Sequence, residues 1–155
     1  MPQSCDILHS ANTSVFVYGT LKRGQCREGL WPRLPVSVNP AWVFGTLFGR
    51  HDYPAMKTGS DQVVVELWRF KPSDLDRVLE VLDQIEGANQ PGSIDLYRRV
   101  VTEVWVQDQA DAFADSFADA FVCGGTASVY FYAGNPLEDG FNKLSNENGY
   151  VCWPS

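Results

Sequence analysis

An α+β fold, with short strands broken by one well-marked helix, is what the sequence predicts, and three observations carry the prediction. Leu75, Val78, Leu79, Leu82 and Ile85 recur at helical spacing and form one apolar stripe. Runs of strand length, rich in β-branched and aromatic residues, occupy residues 14–18, 36–47, 62–70, 96–106 and 126–133. The 155 residues, 45% hydrophobic and 13% aromatic, suffice for one domain with its own core and are too apolar for disorder.

Taken in order, residues 1–13 are polar and read as a frayed terminus. Residues 14–18 form the first strand. Residues 19–35 read as irregular, with Gly24, Gly29, Pro32 and Pro35, and leave room for a helical turn near Arg27 to Trp31. Residues 36–47 read as a strand pair or a bent strand interrupted by Pro40. A loop is expected from His51 to Asp61, then a strand over 62–70. The helix follows Pro72-Ser73-Asp74, with Ser73 as the expected N-cap, Asp76 in the first turn and Gly87 as the stop. After a loop with Asn89, Pro91 and Gly92, residues 96–106 and 126–133 supply two more strands. The tail beyond Asn135-Pro136 reads as mostly irregular.

The charge balance narrows the partners. Net charge is −7 with a pI of about 4.7, so nucleic acid phosphates would be repelled. No apolar run reaches the roughly 20 residues that span a bilayer. The first 14 residues lack a basic segment followed by an apolar core, so no leader and a cytoplasmic location are expected. Cys5, Cys26, Cys123 and Cys152 are widely spaced without a CxxC pair and read as free, incidental thiols. His9 and His51 are too isolated to suggest a metal site, and no cofactor is expected. Oligomeric state is not legible.

Three segments stand out. The first strand ends in Val15-Phe16-Val17-Tyr18-Gly19-Thr20-Leu21-Lys22-Arg23-Gly24. Such a break into glycine and small polar residues aims backbone N–H groups outward, where they can hold an anion. The second segment is Gly45-Thr46-Leu47-Phe48 with Tyr53-Pro54-Ala55 shortly after. The third is Leu82-Asp83-Gln84-Ile85-Glu86-Gly87, followed by Tyr97-Arg98-Arg99. In this order and at these distances they resemble the gamma-glutamylcyclotransferase-like family, including its gamma-glutamylamine cyclotransferase and AIG2-like branches. The resemblance covers roughly residues 14–106 and resumes near 129–136.

The resemblance implies a small, mostly antiparallel β-barrel with a few flanking helices, spanning residues 1–155 as a single domain, with a central cavity rimmed by the loop after the first strand. It also implies release of 5-oxoproline from a small-molecule gamma-glutamyl amide. In that reaction the substrate's own α-amine attacks its γ-carbonyl, so the protein need only fold the substrate and manage protons. Glu86 matches the family's catalytic glutamate and is the expected general acid/base. On the residues alone it reads as a solvated carboxylate at a helix end, where the negative dipole disfavours charge. Tyr18, Gly19, Thr20 and Leu21 are expected to hold the substrate's α-carboxylate, although a plain strand-ending turn would look the same. Tyr97 and Tyr132 are further substrate-binding candidates, or else core tyrosines. Arg98 and Arg99 point to opposite faces of their strand, and one can pair with a carboxylate.

The sequence departs from the family at Val63-Val64-Val65-Glu66-Leu67, where a glycine often precedes Glu-Leu, and in a longer, more polar loop over 88–95. It also carries a four-residue repeat, Ala110-Asp111-Ala112-Phe113, Ala114-Asp115-Ser116-Phe117, Ala118-Asp119-Ala120-Phe121. The repeat reads as part of a family-atypical insertion over 107–125, either an expanded hairpin loop or a helix with a phenylalanine stripe facing a partner. The rival to an enzyme is therefore a non-catalytic module of the same fold that binds a small ligand or a partner.

Overall fold

The chain folds into a closed five-stranded mixed barrel with one α-helix packed on it. The computed structural model describes residues 14–19, 28–107, 121–144 and 150–151. The barrel strands are β1 (Ser14–Val17), β2 (Ser37–Gly49), β3 (Pro54–Arg69), β4 (Tyr97–Gln107) and β5 (Phe121–Tyr132). They run in the order β2-β4-β5-β1-β3, and the long β2–β3 hairpin closes the ring. All barrel pairings are antiparallel except β1 with β5, which are parallel at Val15 and Ser128. Two-residue strands β6 (Asn142–Lys143) and β7 (Tyr150–Val151) add to β2 and β3. Among the described residues the only other regular elements are a 3₁₀ turn, Glu28–Leu30, and the helix α1, Pro72–Glu86.

The alternation of β1 explains why it reads as continuously apolar. Phe16 and Tyr18 point into the barrel with Val43, Leu47, Met56, Leu67 and Val129. Val15 and Val17 point outward beneath α1, into a second core with Val78, Leu79, Leu82, Tyr97 and Tyr130. A strand covered on both faces needs no polar alternation. The stripe read from the sequence is the face α1 buries: Val78, Leu79 and Leu82 fully, Leu75 and Ile85 in part.

Several expectations are corrected. The helix begins at Pro72, whose missing N–H and fixed φ suit the first helical position. Lys71 therefore occupies the N-cap without a side-chain bond, and Ser73 falls inside the first turn. The loop expected to reach Asp61 ends at Tyr53. Residues from Pro54 onward pair with β2, from Gly49↔Pro54 to Thr46↔Lys57; the register then shifts so that Gly45 faces Asp61 and residues 58–60 have no opposite number. Residues 37–47 belong to one strand, β2, despite Pro40, which lies just before the β4 pairing at Ala41 and Trp42, so its missing N–H falls outside that ladder. β5 starts at Phe121, five residues before the expected 126, paired with Gln107. Cys123 is disulfide-bonded rather than a free thiol; cysteines far apart in sequence carry no spacing signal for pairing. The repeat over 110–120 lies outside the described residues. Among the described residues no helix is long and apolar enough to cross a membrane.

Candidate active site

Helix α1 stops where it does because Gly87 adopts φ +66°, a left-handed cap whose N–H turns back to the carbonyls of Asp83 and Gln84. Glu86 is thereby the last helical residue. The cap is tied onward: Leu96 donates its N–H to the Gly87 carbonyl at 2.9 Å, and Ala133 donates to the Leu96 carbonyl at 2.9 Å. The helix end is thus stitched to the start of β4 and the end of β5. Gly87→Ala would force a side chain into this left-handed backbone, with its Cβ 3.2 Å from that of Leu96. The expected cost is about 1–2 kcal/mol, read as a lower denaturant midpoint at unchanged slope.

A cavity of about 160 Å³ opens beside this helix end. Its walls come from residues 15–19, from Tyr53 and Pro54, from Leu82, Ile85 and Glu86 on α1, and from Leu96, Tyr97 and Tyr130. Glu86, half-buried, is the one charged lining residue among those described. Gly19 lies so close to Pro54 that a Cβ would come within 3.1 Å of the proline ring. Glycine is what lets the chain pass there. Of the residues singled out in the sequence, Tyr18, Gly19, Glu86 and Tyr97 meet at this cavity. Thr20 and Leu21 lie outside the described residues. Tyr132 is not in the lining: its ring stacks edge-on behind Tyr97 at 5.3 Å and its hydroxyl donates to the Asp139 carboxylate.

Three of the four tyrosines in the lining feel the Glu86 charge. Burial raises Tyr18 well above its ordinary range, and the neighbouring Tyr97 phenol and Glu86 carboxylate add to the effect. Burial likewise raises Tyr97, followed by the charge of Glu86. Tyr130 is raised by burial, then by its bond to Asp83, with Glu86 contributing less. All three are therefore neutral phenols at physiological pH. Each donates its proton to the protein: Tyr18 to the Tyr130 carbonyl, Tyr97 to the Pro54 carbonyl at 2.7 Å, Tyr130 to Asp83 at 2.6 Å. Toward anything further their oxygens can only accept. With the Glu86 carboxylate, they offer an acceptor-rich lining that suits N–H groups.

Behind the cavity lies a buried network: of the two arginines expected to offer one partner to a carboxylate it is Arg99 that does so, while the carboxylate itself, Asp83, was not singled out in the sequence. Asp83, one turn before Glu86, is 7% exposed. Arg99 grips it with two bonds, Nε at 3.0 Å and Nη2 at 3.2 Å, and Tyr130 and the Asn89 side chain donate to it as well. This joins α1, β4 and β5 at one carboxylate. The sequence signal was slight: Asp83 follows Leu79 by four residues, on the edge of the buried stripe. Next to the lining residue Tyr53, Arg50 pairs with Asp52 at 2.7 Å and lies over the rings of Tyr53 and Phe141 at 4.5 and 4.4 Å. That contact holds Tyr53 in the cavity wall. Among the described residues no group of three His, Cys, Asp or Glu could hold a metal.

The model of the gamma-glutamyl cyclotransferase, AIG2-like family matches residues 15–150. The chain belongs to this family. The match includes β1 from Val15 onward, α1 with Glu86, and all the described residues that line the cavity. Among solved structures, an AIG2-like protein of Mus musculus is 21% identical, with a TM-score of 0.55 over 92% of this chain and 96% of that one. YkqA of Bacillus subtilis is 18% identical with a TM-score of 0.51; the match covers 88% of this chain and 39% of YkqA. At these identities the likeness concerns the fold. No curated protein matches the chain.

Proposed function

We propose that the chain is a gamma-glutamyl cyclotransferase that releases 5-oxoproline and a free amine from a gamma-glutamyl amide. Glu86 takes a proton from the substrate's α-ammonium. The freed amine attacks the γ-carbonyl carbon, forming the ring C–N bond. The C–N bond to the leaving amine then breaks as Glu86 gives that nitrogen its proton; the ring nitrogen yields its remaining proton to Glu86, which passes it to the released amine. Atoms balance without water, and one carboxylate serves as base and then acid. Tyr18, Tyr97 and Tyr130 accept hydrogen bonds from the substrate's N–H groups. The backbone at Gly19, with Thr20 and Leu21 beyond it, holds the α-carboxylate.

The observation that carries this reading is a small cavity whose described lining has one carboxylate, Glu86, beside three phenols, Tyr18, Tyr97 and Tyr130, that donate their own protons to the protein. Size agrees: a cavity of about 150 Å³ holds a six-membered ring. A five-membered lactam therefore fits, with the amine portion directed to the mouth. The reading is tested by offering gamma-glutamyl amino acids and gamma-glutamyl amines to the wild type and to Glu86→Gln, with 5-oxoproline detected by mass spectrometry. Absence of 5-oxoproline from every wild-type reaction would leave the binding-module reading in its place.

A further inference from the structure

We infer that Leu96 selects the leaving amine, and that the preferred substrate is a gamma-glutamyl conjugate of an apolar, uncharged-tail amine; the inference rests on the cyclisation reading above. Leu96 is the lining residue most open to solvent, 45% exposed, whereas its neighbours in the wall are buried or half-buried. An exposed leucine is ordinary by itself. This one is fixed. Its N–H is held by the Gly87 carbonyl and its carbonyl by Ala133 N–H, each at 2.9 Å. Its Cβ lies against Gly87, next to Glu86. Backbone bonds on both sides fix the point from which the Leu96 side chain projects beside the cavity.

The orientation of substrate follows from where the polar groups are. Ring closure needs the α-amine and γ-carbonyl at Glu86 and the phenols, so the substituent on the leaving nitrogen must pass out through the mouth. Of the apolar lining on the helix side, Ile85 and Leu96 are the part that reaches solvent, with Leu82 buried beneath them. An alkyl substituent buries against them. A charged substituent would lose hydration against leucine, with Glu86 the one charge that the described lining offers. A carboxylate there faces Glu86, and the nearby cation, Arg50 over Tyr53, is already paired with Asp52.

The test uses four conjugates with the intact protein: gamma-glutamyl isopentylamide, methylamide, putrescine and β-alanine. The expected wild-type kcat/KM for the isopentylamide exceeds that for the putrescine and β-alanine conjugates by about tenfold or more, the scale of discrimination a small apolar contact supports. Leu96→Asp is expected to erase the preference over putrescine, and Leu96→Lys the preference over β-alanine. Equal handling of the four by wild type, or ratios that neither variant moves, would overturn the inference while leaving cyclisation intact. If wild type makes no 5-oxoproline from any conjugate, the cyclisation reading fails. Calorimetric affinities for the same compounds then decide the inference: tightest binding of the isopentylamide, weakened by Leu96→Asp, upholds it, and a flat ranking removes it.

Discussion

Glu86→Gln is expected to lower 5-oxoproline release by about 10²–10⁴-fold, the usual contribution of a positioned general acid–base group. Glutamine keeps the length and shape of the side chain and can still make hydrogen bonds. It cannot take up a proton from an ammonium, so the attacking amine stays blocked. Pre-organisation in the cavity survives the change, and some activity above background should remain from orientation alone. Glu86→Asp is the useful companion. It restores the carboxylate but withdraws it by one methylene, and is expected to fall between glutamine and wild type. Thermal melting should show all three folded. Retention of more than about a tenth of wild-type turnover by the glutamine variant would be far outside the range for a general base and would remove Glu86 from that role.

What could be read in the sequence, and what could not, divides by the range of the interactions involved. Helix α1 was legible because its signals are local: an apolar stripe facing the barrel and Gly87 at its end. Ring closure was not, because alternation marks a strand without naming its partner; nothing near Val15 announces Ser128. Thr58, Gly59 and Ser60 have the composition of a turn, yet the ladder with β2 continues on either side of them. The tyrosines show the same limit at the site. Tyr130 and Tyr132 are two apart on β5 and share a face by alternation. Only the packed structure distinguishes them, with Tyr130 at the cavity and Tyr132 turned to Asp139. Asp83 looked like another of the helix's acids until Arg99 and Tyr130 closed on it from strands far along the chain.

That network gives the largest expected effect on stability, with an asymmetry that distinguishes it from a surface ion pair. Arg99→Ala leaves the Asp83 carboxylate, 10% exposed at its side chain, without its cation. Breaking a buried pair from one side costs about 3–5 kcal/mol, and because Tyr130 and Asn89 still donate, about 3 kcal/mol is expected. Asp83→Asn keeps an acceptor for Tyr130 and leaves a guanidinium that is 30% exposed and so partly hydrated, for a cost of about 1–2 kcal/mol. In the double variant the stranded charge is gone, so its cost should fall short of the sum by about 1–2 kcal/mol. Urea titrations at fixed pH measure all three. Additive costs, or an Arg99→Ala cost under about 1 kcal/mol, would place the pair with exposed bridges of little worth. The same variants should also lower turnover at temperatures where they remain folded. Asp83 holds the turn of α1 that carries Glu86 and the phenol of Tyr130 that lines the cavity, so loosening it displaces base and wall together, and even a small displacement is costly when reacting atoms must be held in line.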